Sequence, residues 1–344
     1  MIPTIDALVQ DSGLPGAFHA GALLTLNLAY GLESFDHVAG TSCAASTLAY
    51  WVADQIWPSG SKIWTSDLAK KGFYYRGRKP AFNMIFLVDT IHREWNKLNL
   101  AKVMSSDTKL SVSVTNAETG EAEYMGNWDQ YRQDWEQHFD SPEEMARAML
   151  ITAQDLPTKH SSGILLELKP GTRYFDGAYS DLLPIAPFGI DPDTLALPRD
   201  KYMIIILTAP EDYKKRVAVE GAMLKRLANR EPDLPEGVHI SLNEYAERTI
   251  AGLSRAEELA KRNPENVLLI RPEFTIGSTD NTRESLSRMA THGAELTNTQ
   301  RVRSFLERFA EAGGEQNFKP YSKILTGEPI AEMYQNPDWV VWKE

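Results

Sequence analysis

The sequence predicts an α/β fold, a three-layer α/β/α sandwich with a mostly parallel central sheet. Three observations on the 344-residue chain point there. Residues 5–57 run strand, turn, helix twice over, with the apolar periodicity switching between two and 3.6. Residues 202–207 and Val267–Ile270 are continuous apolar runs, as parallel strands buried on both faces require. Residues 242–260 between them carry a helical apolar stripe long enough for a crossover. A hydrophobic content of 42% over this length suffices for one large domain or two smaller ones.

Taken in order, residues 5–9 form the expected first strand and Asp11-Ser12-Gly13-Leu14-Pro15-Gly16 a turn. The next helix, 19–28, sets Ala20, Leu23, Leu24 and Leu28 on one face. A second strand at 37–39 completes a βαβ unit that ends in Gly40-Thr41-Ser42-Cys43-Ala44. A helix from 44 to about 57 follows, with Leu48, Trp51, Val52 and Ile56 on its inner side. Ser42 thus stands at a strand-to-helix corner between small residues (Gly40, Ala44, Ala45), as a strained nucleophile elbow requires. The helix N-terminus beside it favours a developing oxyanion. The same residues also fit a serine that caps a buried helix.

Residues 58–82, rich in Gly, Pro, Lys and Tyr, read as a loop, and 83–100 as an apolar helix that either packs on the sheet or borders a pocket leading to Ser42. Residues 109–116 and 122–125 form a hairpin through Glu118-Thr119-Gly120-Glu121. Ser141-Pro142-Glu143-Glu144 caps a helix reaching about 153. A second hairpin, 164–168 with 173–175, turns on Lys169-Pro170-Gly171-Thr172 and presents Asp176-Gly177-Ala178 at its end. Beyond 297 a charged helix (301–312) and a tail with Trp339 and Trp342 read as an extension packed on the domain. The expected division is 1–296 and 297–344.

The net charge of −11 opposes a nucleic-acid partner and bulk attraction to anionic lipid. Lys214, Lys215, Arg216, Lys225, Arg226 and Arg230 form a local exception that reads as a solvated helix face, with phosphate contact as the alternative. The single cysteine, Cys43, excludes an intrachain disulfide and a cysteine-built zinc site. With no apolar run of about 18 residues and no basic-then-apolar leader, the expected location is the cytoplasm. No Walker A sequence or His-Glu-x-x-His occurs, so neither a nucleotide nor a metal is expected as a cofactor. A Ser-Asp-His hydrolase would need His239 or His292, but few strands precede Ser42, and His292 reads as part of a solvated helix.

The order of a glycine turn (Gly13, Gly16), a serine elbow (Ser42) and a downstream Asp-Gly-Ala (Asp176) resembles the patatin-like phospholipases, most closely their small bacterial single-domain branch. The resemblance runs over about residues 5–293 and includes Pro157, Pro184 and Arg271-Pro272. It implies a Ser-Asp dyad without histidine, Ser42 as nucleophile and Asp176 as base. The backbone N–H groups of Ser12, Gly13 and Leu14 would form the oxyanion hole, Gly40 and Ala44 the elbow, and Gly177 and Ala178 the turn after the acid. The implied activity is acyl hydrolysis of a lipid or ester (phospholipase A, lysophospholipase or esterase) through an acyl-enzyme, without a cofactor and with transient contact to a membrane surface. Four residues depart from the family pattern. Asp11 and Ser12 stand where the family has glycines, Pro15 where it has a cation, and Ala44 replaces the second glycine of the elbow. Pro15 removes an N–H, and an Asp11 carboxylate facing the hole would oppose an anion there. These departures define the alternative, a degenerate member that binds lipid or a partner without turnover.

Overall fold

In a computed structural model, which describes residues 2–10, 13–71, 73–76, 79–82, 94–128, 136–153, 165–191, 193–277, 280–320 and 322, the apolar runs become strands and the amphipathic stretches helices. The first half comprises β1 (Thr4–Val9), α1 (Ala17–Leu28), β2 (His37–Thr41), α2 (Cys43–Val52), α3 (Leu68–Lys71), β3 (Phe73–Arg76), β4 (Lys79–Phe82), α4 (Leu100–Met104), β5 (Lys109–Asn116), β6 (Ala122–Gly126) and β7 (Glu136–His138). The second comprises α5 (Pro142–Thr152), β8 (Leu166–Lys169), β9 (Thr172–Asp176), β10 (Lys201–Ile206), α6 (Tyr213–Ala228), α7 (Glu236–Arg262), β11 (Val267–Ile270), α8 (Arg283–Thr297) and α9 (Gln300–Phe309).

The main sheet runs β11-β10-β1-β2-β5-β6-β7, with β9 also paired to β5, and β8 to β9. From β11 to β5 all pairs are parallel. The pairs β5–β6, β5–β9 and β8–β9 are antiparallel. The sheet is therefore mixed, not mostly parallel as the sequence predicts. The cause is local: the links after β5 and β8 are too short for a crossover, and Gly120 (φ 75°) and Gly171 (φ 80°) supply tight turns instead.

Side chains alternate across the sheet and fill a core on each face. Ile5, Ala7, Val9, Val38, Val112, Val114, Ile204 and Ile206 share one core with α1, α2, α5, α8 and α9. Leu8, Ala39, Met203 and Ile205 face Leu253, Ala256 and Leu259 of α7 in the other. Val302, Phe305, Leu306 and Phe309 of α9 belong to the first core, so the chain beyond 297 contributes directly to it. Trp339 and Trp342 lie outside the described residues.

The close approach of α1 and α8 depends on glycine. A Cβ at Gly21 would stand 1.9 Å from the Ala290 carbonyl oxygen, and one at Gly293 2.1 Å from that of Phe18. This crossing takes His292 into the protein instead of leaving it solvated. It is buried, stacks 4.5 Å from Phe274 and accepts the Glu273 N–H at 3.0 Å. Burial lowers its pKa.

Elsewhere the local signals misplace boundaries. The stretch 58–82 contains helical turns, α3 and an antiparallel β3–β4 hairpin. Most of the helix expected over 83–100 lies outside the described residues, and its end is irregular: Asn99 starts a new helix by accepting the Lys102 N–H. The α5 cap forms as expected, with Ser141 Oγ accepting the Glu144 N–H at 3.1 Å and the Glu144 carboxylate accepting the Asp140 N–H at 2.6 Å.

Candidate active site

Val9 of β1 pairs with Gly40 of β2 in parallel register. The glycine turn after β1 and the serine corner after β2 therefore emerge side by side at the carboxyl ends of the strands, where open α/β sheets place ligands.

Ser42 is the single residue between β2 and α2. Its φ of 54° and ψ of −126° are a conformation L-residues rarely adopt, at a cost of roughly 1–3 kcal/mol. The chain folds back so tightly that a Cβ on Gly40 would lie 2.9 Å from Leu48 Cδ1 and 3.1 Å from the Ala44 methyl. Small residues at 40 and 44 are what let the helix begin there. A capping serine has an extended backbone and its oxygen accepts an N–H of the first turn. Ser42 has neither property, since its side chain makes no capping bond. The corner is held through its backbone instead. The Ser42 N–H donates to Thr152 Oγ1 (2.9 Å), and that hydroxyl donates to the Ser113 carbonyl (2.5 Å). The end of α5 thus braces the elbow.

Strand β5 brings the acid to the serine. On one edge of β5, Ser113 pairs with Thr41, and the next residue, Val114, pairs with Asp176. At both residues β6 takes the opposite edge, with Tyr124 and Glu123. Strands β2 and β9 therefore run toward each other along one edge of β5, and their carboxyl ends meet with Ser42 and Asp176 at the junction. Gly177 makes this possible, because a Cβ there would stand 2.2 Å from the Ser113 carbonyl oxygen and 2.9 Å from Thr41 Cγ2.

Hydroxyls fasten the turn. Thr115 Oγ1 donates to the Asp176 carbonyl (2.7 Å) and lies 2.8 Å from Ser180 Oγ, while Thr41 Oγ1 donates to the Asp181 carbonyl (2.9 Å). The Asp176 carboxylate is half-buried and accepts the Ala178 N–H at 2.9 Å. Among the described residues the Ser42 hydroxyl makes no hydrogen bond.

Gly13 has φ 60° and ψ −129°, which only glycine adopts at little cost. The tight turn Leu14–Gly16 follows and leads into α1, with the Gly16 N–H donating to the Gly13 carbonyl at 3.0 Å. Leu14 and Pro15 are buried. Asp11 and Ser12 lie outside the described residues.

Sequence reasoning misses the bracing residues Thr41, Ser113, Thr152, Ser180 and Asp181. The available signal is adjacency: Thr41 precedes the serine, and Ser180-Asp181 closely follow Asp-Gly-Ala. Burial raises the Asp181 carboxyl above the usual range, opposed by the hydrogen bond from the Tyr124 hydroxyl (2.5 Å). Asp181 borders a cavity of about 590 Å³ with Leu183, Ile185, Arg248 and Arg255, which neither Ser42 nor Asp176 lines.

A second buried group lies behind the elbow. His19, in the first turn of α1, is fully enclosed and stands edge-on to Trp64 (5.4 Å, 83°). The Trp64 indole N–H donates to Thr47 Oγ1 in α2 at 2.9 Å. Among the described residues neither imidazole nitrogen has a hydrogen-bond partner, and burial lowers the His19 pKa to about 3.

Among the described residues no group of three or more His, Cys, Asp or Glu side chains is placed to hold a metal ion. No helix among them is long and apolar enough to cross a membrane. No family model matches the chain, and no curated protein does. Among solved structures it is similar to the crystal structure of VipD from Legionella pneumophila. The identity is 13% over 89% of this chain and 67% of that one, with a TM-score of 0.48.

Proposed function

We propose that the chain is a serine acyl hydrolase of the patatin-like phospholipase type, with Ser42 as nucleophile and Asp176 as its base. One observation carries the reading: a serine with a positive φ that caps nothing stands at a helix N-terminus, and an aspartate ends the strand that meets it along β5. A helix cap needs no such backbone, whereas a nucleophile elbow does.

In this reading Ser42 Oγ attacks the ester carbonyl as its proton passes to the Asp176 carboxylate. The tetrahedral oxyanion is received by N–H groups of the Gly13–Leu14 turn and favoured by the positive end of α2. Collapse breaks the ester C–O bond, and Asp176 returns the proton to the departing alcohol. Water then attacks the acyl-enzyme with Asp176 taking a proton from it, and as the acyl–Oγ bond breaks Asp176 returns that proton to Ser42 Oγ and the carboxylic acid leaves. No metal or cofactor has a part in the scheme.

The second reading, binding without turnover, draws on Pro15, which offers no N–H in the turn that would receive the oxyanion. A series of p-nitrophenyl esters of increasing acyl length, given to the pure protein, separates the two. Hydrolysis well above that of Ser42→Ala is expected. Equal rates for the two proteins would contradict turnover at Ser42.

A further inference from the structure

The sixteen residues of α6 carry five bases against one acid, in a chain of net charge −11. Lys214 is paired with Glu257 and Arg216 with Glu220. Lys215, Lys225 and Arg226, and Arg230 just past the helix end, are exposed and form no ion pair among the described residues. Lys215, Val219, Met223 and Arg226 recur at intervals of four, four and three residues, so they lie one above another on a single face. The two apolar members are open to solvent, Val219 at 62% and Met223 at 64%. The outer face is thus an apolar pair between cationic ends.

The rest of the helix has one end near the glycine turn and the other packed near the end of β9. Tyr213 and Arg216 share a small pocket with Gln10 and with Pro15 of the glycine turn. Leu224, Leu227 and Ala228 pack with Ala117 and with Phe175, the neighbour of Asp176. The helix therefore has one end beside the turn after β1 and the other packed with Phe175 of β9.

We propose that the outer face of α6 docks this protein on an anionic lipid bilayer, Val219 and Met223 entering the headgroup region while Lys215, Lys225, Arg226 and Arg230 meet lipid phosphates. Exposed apolar side chains centred on a cationic stripe fit the interfacial boundary of a bilayer; a purely polar polyanion gives them nothing to bury in. Of the nearby acids Glu220 is paired with Arg216 and Glu257 with Lys214, Glu211 and Asp212 lie just before the first turn, and acidic groups more than about 10 Å away are screened at 0.1 M salt. Docking stands without the hydrolase reading. Only its consequence, delivery of a membrane ester to Ser42, rests on that reading.

The test is cosedimentation of the full chain with vesicles of ether-linked lipids, which no ester hydrolase can consume. Zwitterionic phosphatidylcholine vesicles would be compared with vesicles containing 30% phosphatidylglycerol. Binding is expected only to the anionic vesicles and should weaken as salt is raised. At about fivefold per cation, the variant with Lys215, Lys225, Arg226 and Arg230 all changed to glutamine should partition at least a hundredfold less. Val219→Asp/Met223→Asp should also release the protein, which salt-insensitive packing elsewhere would not explain. All six side chains are exposed, so the same variants should keep their activity on a soluble short ester if the wild type has any. Absence of binding to anionic vesicles, equal binding to both vesicle types, or binding that survives the fourfold change would overturn the proposal.

Discussion

Asp176→Asn should lower kcat/KM on a short ester roughly a hundred- to ten-thousandfold while leaving the thermal midpoint close to that of the wild type. The two effects separate because the side chain has two roles. Its Oδ1 accepts the Ala178 N–H at 2.9 Å, and an amide oxygen does this as well as a carboxylate oxygen. An amide cannot take the proton from Ser42, and loss of a general base costs about that range in rate. The barrier would rise by roughly 3–5 kcal/mol. Asp176→Ala should lose the turn contact too, adding about 1 kcal/mol of destabilisation. If Asp176 served only to shape the turn, the asparagine variant would be nearly silent and the alanine variant would show its whole effect in stability. Rates and melting curves for the two variants, measured together, distinguish these cases.

The second large effect is on acid stability. His19 is buried with no partner among the described residues for either nitrogen, and burial holds its pKa at about 3, below the ordinary 6.5. Below pH 6.5 the unfolded chain therefore binds a proton that the folded chain refuses. Stability rises with pH wherever the unfolded state binds more protons, so this residue costs nothing above about pH 6.5 and costs progressively more as the pH falls toward 3. At about 1.4 kcal/mol per pH unit, the loss between pH 7.5 and 4.5 is roughly 2.5–3 kcal/mol, and by pH 3 about 4.5 kcal/mol. His19→Met fills a similar volume without a titrating group. Urea unfolding at pH 7.5 and 4.5 should show the wild type losing about 2.5–3 kcal/mol more than this variant over that interval. Equal losses would mean that the imidazole is protonated in the folded protein.

Sequence patterns reach far into this fold where interactions are local. Apolar spacing locates β1, α1 and β2 and a continuous apolar run β10, and the glycines at 120 and 171 mark the two hairpins because each occupies a positive φ. The serine corner is legible for the same reason, since Gly40 and Ala44 leave room that larger residues would fill. The meeting of β2 and β9 on one edge of β5 is not legible. It joins residues more than 130 positions apart, and nothing in either segment states which strand it will pair with. The mixed sheet follows from that pairing and stays hidden with it. Pro80 and a run of cations disguise the β3–β4 hairpin as a loop. The burial of His292 comes from how closely two glycines let α1 and α8 approach, a property of the pair that α8 alone does not display.

The most direct test of the central claim is reaction of the folded protein with a fluorophosphonate, followed by peptide mapping of the phosphonylated residue. A serine activated by a neighbouring carboxylate displaces fluoride and keeps the phosphonyl group on Oγ, whereas an ordinary buried or capping serine does not react. The expected result is one label, on Ser42, absent after denaturation and strongly reduced in Asp176→Asn. A label on another residue, or none on folded wild-type protein, would contradict the assignment of Ser42 as a nucleophile.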